Sequence, residues 1–431
     1  LPAGCTSSYD EGWIITCTSG GNYVWGQLDV HHVKAFRLTG NAATTFNFSG
    51  NLNIDNGAVS FPAATYNFAK GLELKSGASV TFGNGNFTVA ESMILDGNAT
   101  FGNGNVTIGQ RLEIRNGRTI LFGNGTFNIR QGLSINGGSS ATFGAGTFNI
   151  GQGTISCNGA YYSICQLGNT LTFGGPSTFN LTAGIFNNGG SQIDFGAGVG
   201  NVYTIGPSTG GNALQLGGRS FTRFADSAPA STFTVVGHIN VNSGGGSCLT
   251  LPAAGHHDIK GNLMTAGGTI LGAGVYTVNG YVALGGNSGG SVECYGQMVG
   301  IIGDGVTFAI SGTATPSGGS CNGLAFCVAA GYDNVFLKAP TTGALANLLV
   351  LGPTNGITPG AAFNEGAATT LSGALYFPTG PITLSGGASI TNPPGGCMTL
   401  IGSLITLSGG TKVASACVTD GGSGGAVVLV Q

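Results

Sequence analysis

The chain has 431 residues, of which 83 are glycine and only 7% are charged, with 13 basic against 16 acidic side chains and a formal net charge of −3. That balance leaves no electrostatic footprint for nucleic acid or an anionic membrane, and neither is expected as a partner. A surface of Asn, Thr, Ser and Gly is also only weakly repelled by copies of itself.

The glycines alternate with β-branched and aromatic residues on a fixed period, which marks them as turn glycines, not linker glycines. No apolar run is long enough to span a bilayer, and Leu1 to Asp10 lack a basic segment followed by an apolar core. A soluble chain with no membrane span, from which any targeting segment has been removed, is expected. Ten cysteines are present: Cys5, Cys17, Cys157, Cys165, Cys248, Cys294, Cys321, Cys327, Cys397 and Cys417. None forms a C-x-x-C pair, so disulfides in an oxidising compartment fit better than zinc or thioredoxin-type chemistry. Sequence neighbours suggest Cys5 with Cys17, Cys157 with Cys165, Cys321 with Cys327 and Cys397 with Cys417. Cys248 and Cys294 are left for each other, although spacing alone does not fix connectivity.

Residues 1–38 do not repeat and hold both tryptophans, the Cys5 to Cys17 loop and His31-His32. An atypical segment at one end of a repeat array reads as a cap over apolar side chains and strand edges. The coils begin after it, in a regular region over 39–240. Phe82-Gly-Asn-Gly, Phe101-Gly-Asn-Gly, Phe122-Gly-Asn-Gly and Phe143-Gly-Ala-Gly recur at spacings of 19, 21 and 21 residues. A period this short is one coil of a stacked repeat.

Three apolar columns can be read down the coils. The first runs Phe46, Tyr66, Phe87, Val106, Phe127 and Phe148, with Asn47, Asn67, Thr88, Thr107, Asn128 and Asn149 pointing outward beside it. The second runs Leu52, Leu72, Met93, Leu112 and Leu133, and the third Phe61, Phe82, Phe101, Phe122 and Phe143. Three inward stripes separated by Gly-rich turns predict an all-β, right-handed parallel β-helix, a three-faced β-solenoid with about 20 residues per coil. Like residues then stack about 4.8 Å apart. The position after the second column reads Asp55, Lys75, Asp96, Arg115, Asn136, which predicts an alternating charge ladder whose main effect is to fix register.

Beyond Gly151 the period loosens and longer excursions appear. Residues from about Pro207 to Pro229 read as an insertion loop, and 241–431 as a more divergent solenoid that ends on the apolar stretch Ala426 to Val430.

Candidate sites are few. His256-His257-Asp258 is the cluster closest to a metal motif, but the column alignment turns His257 inward beside Phe233 and Tyr276, so a hydrogen-bonded core histidine is expected. His31 and His32, near Asp29, are adjacent on a strand and point to opposite faces, which suits one ion poorly. Glu73 and Glu113 share an outward column with Ile94 between them, roughly 9.6 Å apart by strand spacing. They are the nearest approach to a glycosidase pair, yet both sit beside the Lys75 and Arg115 ladder, where solvated surface charge is expected. The outward column Thr81, Thr100, Thr142 and Thr172 is interrupted by Leu121, and strand propensity accounts for its threonines without an ice-binding role. The Asn-x-Ser/Thr sequons at Asn47, Asn86, Asn98, Asn105, Asn124 and Asn180 follow from the Asn/Thr-rich composition. No catalytic residue, metal or cofactor is assigned.

Five stretches carry a family resemblance: Gly305-Val-Thr-Phe-Ala-Ile-Ser311, Val335-Phe-Leu-Lys-Ala-Pro-Thr341, Leu371-Ser-Gly-Ala-Leu-Tyr-Phe-Pro378, Ile382-Thr-Leu-Ser-Gly386 and Cys397 to Gly409. With Tyr276-Thr-Val-Asn-Gly280 before them, residues 265–431 resemble the C-terminal region of bacterial Tad/Flp pilus-assembly TadG-like proteins. The resemblance implies an exported, cell-surface or pilus-associated protein without enzymatic activity. That family normally begins with a membrane-spanning TadE-like segment, which is not found here. The resulting expectation is an extracellular structural protein, a pilus-associated adhesin or self-assembling surface-fibre subunit. Its partners would be its own copies, other pilus or cell-surface subunits, and surface glycans. The alternative is a polysaccharide-binding or polysaccharide-cleaving β-helix protein.

Overall fold

A computed structural model describes residues 1–31, 35–196, 200–224, 232–242, 246–285, 292–312, 321–354 and 359–414. Every regular element among them is a β-strand, wound into a parallel β-solenoid of about 16 turns whose sense is consistent with a right-handed coil. No helix is long and apolar enough to cross a membrane among the described residues. The chain divides into two compact units, Leu1–Gly210 and Gly211–Gln431.

In the first unit the predicted columns are the three sheets. Third-column strands pair in parallel with Phe61 opposite Phe82, then Phe101, Phe122 and Phe143. First-column strands place Tyr66, Phe87, Val106, Phe127 and Phe148 in register. The aromatic rings form two stacks. Phe61, Phe82, Phe101, Phe122 and Phe143 stack nearly parallel at 4.5 to 5.0 Å between centroids, wider than a direct face-to-face contact. First-column rings meet them edge-on, as Phe87 meets Phe82 at 5.1 Å and Phe127 meets Phe143 at 5.2 Å. Both arrangements suit the ring quadrupole, and such contacts contribute roughly 0.5–1.5 kcal/mol each beyond area burial.

Three of the four residues in each Phe-Gly-Asn-Gly run have a plain physical reason. Phe fills the core. The Asn side chain hands a hydrogen bond to the next coil: Asn84 Oδ1 accepts from the Asn103 N–H, Asn103 Oδ1 from the Asn124 N–H and Asn124 Oδ1 from the Ala145 N–H, all at 2.8 Å. At the second glycine the backbones nearly touch, since a Cβ on Gly104 would lie 1.8 Å from the Gly85 carbonyl oxygen. Only glycine fits there.

The N-terminal segment is partly coil and partly cap. β1 (Cys5–Tyr9) pairs antiparallel with β2 (Trp13–Cys17), and the Cys5–Cys17 disulfide ties them. β2, β3 (Asn22–Trp25) and β4 (Leu28–Val30) already make a complete first turn, in register with Ala35–Thr39, Thr45–Phe48 and Leu52–Ile54. Only β1 lies outside the repeat.

Further along the unit, an antiparallel hairpin, Ser156–Cys157 with Ala160–Tyr161, leaves the coil and is clipped back by Cys157–Cys165. It buries Tyr162 and Ala160 against Phe186 on the outer face of the second sheet.

In the second unit the expected insertion loop at 207–229 is largely absent. Asn212–Leu216 and Phe221–Phe224 are strands that pair in parallel with His238–Val241 and Cys248–Thr250. A bulge between Asn212 and Leu214 breaks the alternation that the sequence pattern relies on, which hides the strand. Residues 225–229 of that stretch lie outside the described ones.

A second hairpin, Val292–Cys294 with Gln297–Val299, is pinned by Cys248–Cys294 and packs on Ile270 and Ile302. Cys321–Cys327 holds a third apolar cluster, with Tyr281 and Ala283, over the second sheet. The pairing of Cys397 with Cys417 and the apolar stretch Ala426 to Val430 fall outside the described residues. A single 17-residue strand, Ala368–Leu384, runs through all three columns.

Candidate functional site

Several charged side chains of the first unit gather beside its second sheet, four of them in the turn after each second-column strand. Asp55, Lys75, Asp96 and Arg115 follow Ile54, Leu74, Leu95 and Ile114, which are in register. Lys75 Nζ lies 2.9 Å from Asp55 Oδ1, and Arg115 Nε 2.6 Å from Asp96 Oδ1.

His31 extends the ladder by one coil. It follows Val30 as Asp55 follows Ile54, and its Nδ1 meets Asp55 Oδ2. The column alignment carried one coil further into the cap would have found it. Lys75 chiefly, and His31 after it, hold the Asp55 carboxyl below its ordinary range, and Asp55 in turn raises Lys75. Arg115 is raised by its hydrogen bond to Asp96.

Glu73 and Glu113 do stand in one column with Ile94 between them. Glu113 is nearly buried and held by two guanidiniums, Arg111 at 3.2 Å and Arg115 at 3.6 Å. Glu113 is thus engaged on both sides, and Glu73 faces a neighbouring Ile, not a second acid. The pair has the geometry of a surface ion network, not the convergent arrangement of two acids across a bond.

The histidines separate as the alternation requires. His257 is fully buried, stacked on Tyr276 at 3.9 Å, and its Nε2 donates to the Pro252 carbonyl at 2.7 Å. Burial pushes its pKa down to about 4. His256 faces outward to Thr277 Oγ1 at 2.5 Å, and Asp258 meets Lys260 at 3.6 Å. Among the described residues no group of three or more His, Cys, Asp or Glu is placed to hold a metal ion. His32 lies outside the described residues. Thr81, Thr100, Thr142 and Thr172 do align, with Leu121 between Thr100 and Thr142 and Asp194 after Thr172.

At the N-terminal turn β1 covers the edge of β2, but among the described residues β3 pairs only with Thr45–Phe48 and β4 only with Leu52–Ile54. The outer edges of two of the three sheets are therefore unpaired. Val24 on β3 is 65% exposed, and Tyr9 and Trp13 stand exposed nearby on the β1–β2 hairpin. A cleft of about 390 Å³ lined by Leu1, Trp13, Ile15, Leu28 and Phe36 opens there.

At the other end Met398–Leu407 pairs only with Ala368–Leu384, and Lys412–Val413 only with Ser389–Thr391, among the described residues. Leu407 stacks on the buried Leu384 yet is 55% exposed, and Leu404 is 62% exposed. Comparison with protein-family models, with curated proteins and with solved structures finds no match.

Proposed function

We propose that the chain is a non-enzymatic extracellular structural protein that assembles end on end into a surface fibre, or seats on one as a pilus-associated adhesin. The observation that carries this reading is that, among the described residues, the strands at both ends have parallel edges without a partner strand and carry exposed apolar side chains. An unpaired edge is a template for another strand. The column order also suits the joint: in a stacked copy, Met398–Leu407 would continue the sheets of β3 and β4, while the β1–β2 hairpin leaves the third sheet closed. Repetition of one such heterologous contact whose rotation does not close on itself gives an open filament.

Low surface charge favours close approach of copies, disulfides are compatible with an oxidising exterior, and the likeness of residues 265–431 to TadG-like proteins supports a pilus setting. Sedimentation and negative-stain imaging over a concentration series test it. Linear oligomers that grow with concentration are expected, and lysine at the β3 edge, Val24→Lys, should suppress them without unfolding the chain. A wild-type protein that stays monomeric at every concentration rules out the fibre.

A further inference from the structure

We propose that a cleft on the side of the first unit binds an acidic glycan, a uronate-bearing polysaccharide, with Arg130 as the carboxylate anchor. The cleft occupies the corner between the first and second sheets and has a volume of about 440 Å³. Its shape follows from one column. Gly109, Arg130, Gly151 and Thr182 take the same corner position in successive coils, each donating its N–H to the end of the first-column strand below. A Cβ on Gly109 would lie 2.1 Å from the Ala90 carbonyl oxygen, and one on Gly151 1.9 Å from that of Arg130. Neither neighbour of Arg130 can carry a side chain. The guanidinium therefore stands in open space, exposed and with no ion pair among the described residues.

The wall beside it is the outward asparagine row. Asn180 Nδ2 donates to Asn149 Oδ1, and Asn149 Nδ2 to Asn128 Oδ1, each at 2.8 Å. The carboxamides point the same way, so the row ends in the Asn128 N–H groups, which have no partner among the described residues, and a chain of aligned amides polarises its terminal donor. Opposite Asn128 in the next coil stands Thr107, whose exposed hydroxyl has no partner among the described residues. Asn128, Thr107 and Arg130 thus present unused donors to one space, and no acid lines it.

A ligand that satisfies them carries negative charge and several acceptors. The row spans four coils, about 14 Å at one strand spacing per step, which suits an extended chain. A single cation and the absence of any aromatic lining give no platform for stacked bases, which separates this cleft from a single-stranded nucleic-acid groove. Repeated hydroxyls and carboxylates are the chemistry of a uronate polymer.

Calorimetric titration with a galacturonate trimer tests the assignment, with its methyl ester and triglutamate as comparators. The protein is held below any concentration at which it associates, so failure of the fibre reading leaves this test intact. The trimer should bind saturably, the ester at least tenfold more weakly, and triglutamate more weakly than the trimer. Arg130→Gln should lose about tenfold or more, as expected for a hydrogen bond to a charged group. Thr107→Val, on an exposed strand face that keeps its fold, should lose a few-fold, and the distant Arg37→Gln should bind as wild type. No saturable binding of the trimer, equal binding by Arg130→Gln, or equal binding of the ester or of triglutamate would each overturn the proposal.

Discussion

The coils between Phe61 and Ile150 and those of the second unit use the same three columns but solve the packing problem differently. Where coils are equal in length, side chains of one kind come into register and stack: four successive Phe contacts in the third column deviate from coplanarity by only 7° to 11°. In the second unit coil lengths vary, and the hairpin at 292–299 lies between Tyr276 and its partner Phe308. First-column rings there tilt by 60° between Phe233 and His257 and by 40° between Tyr276 and Phe308, while His257 and Tyr276 stay within 5° of parallel. Two disulfides, Cys248–Cys294 and Cys321–Cys327, hold apolar excursions against the outer faces. Regularity lets identical neighbours stabilise one another, and irregularity demands local clips.

The sharpest way to break that comparison is to remove one ring from each unit. Phe122 is stacked between Phe101 and Phe143 and touches Phe127 edge-on, whereas Phe308 is equally buried but meets Tyr276 at a tilt. Phe122→Ala should fall at the upper end of the roughly 3–5 kcal/mol typical of a buried Phe→Ala change, and Phe308→Ala at the lower end. Urea denaturation of the two variants measures this. Equal losses would mean that ring stacking adds nothing beyond burial.

The next effect belongs to the second unit alone. His257 has an unfolded-state pKa near 6.5 and a folded-state value of about 4. Above pH 6.5 it is neutral in both states and contributes no pH dependence. As pH falls from 6.5 toward 4 the unfolded chain takes up a proton that the folded one refuses, so stability should drop by about 3 kcal/mol over that window and level off below it. His257→Phe should flatten that part of the profile, and an unchanged profile in the variant would assign the pH dependence elsewhere.

The smallest effect is on the charge ladder. Arg115→Met leaves its aliphatic contact but removes the ion pairs to Asp96 and Glu113. A cost of about 1 kcal/mol, shrinking in high salt, is expected for a pair only partly withdrawn from solvent. A double-mutant cycle with Asp96→Asn isolates the coupling, and a much larger, salt-independent value would make the ladder a principal source of stability and not a guide to register.

The fold was legible in the sequence because equal coils print their columns directly: Phe82, Phe101, Phe122 and Phe143 can be aligned by eye, and the Asp55 to Arg115 ladder with them. Four disulfides joined the cysteines that sequence neighbourhood and elimination suggested. Legibility failed where a coil departs from the period. Asn212–Leu216 was hidden by its bulge, and His31 by its place in a segment read as a cap. The corner cleft left no trace in the pattern, because Arg130 becomes conspicuous only when Gly109 and Gly151 are seen above and below it.

The asparagine relay from Asn84 to Asn103, Asn124 and Ala145 makes each rung the address label of the next. Excising the whole coil that carries Asn103 rejoins Asn84 to Asn124, the same chemical partner at the same position. Length in this region is thus a variable that duplication or deletion of whole coils can change without breaking the asparagine relay, and in steps of two coils without breaking the alternation of the Asp55 to Arg115 ladder, so a gene encoding it can lengthen or shorten its product by unequal exchange.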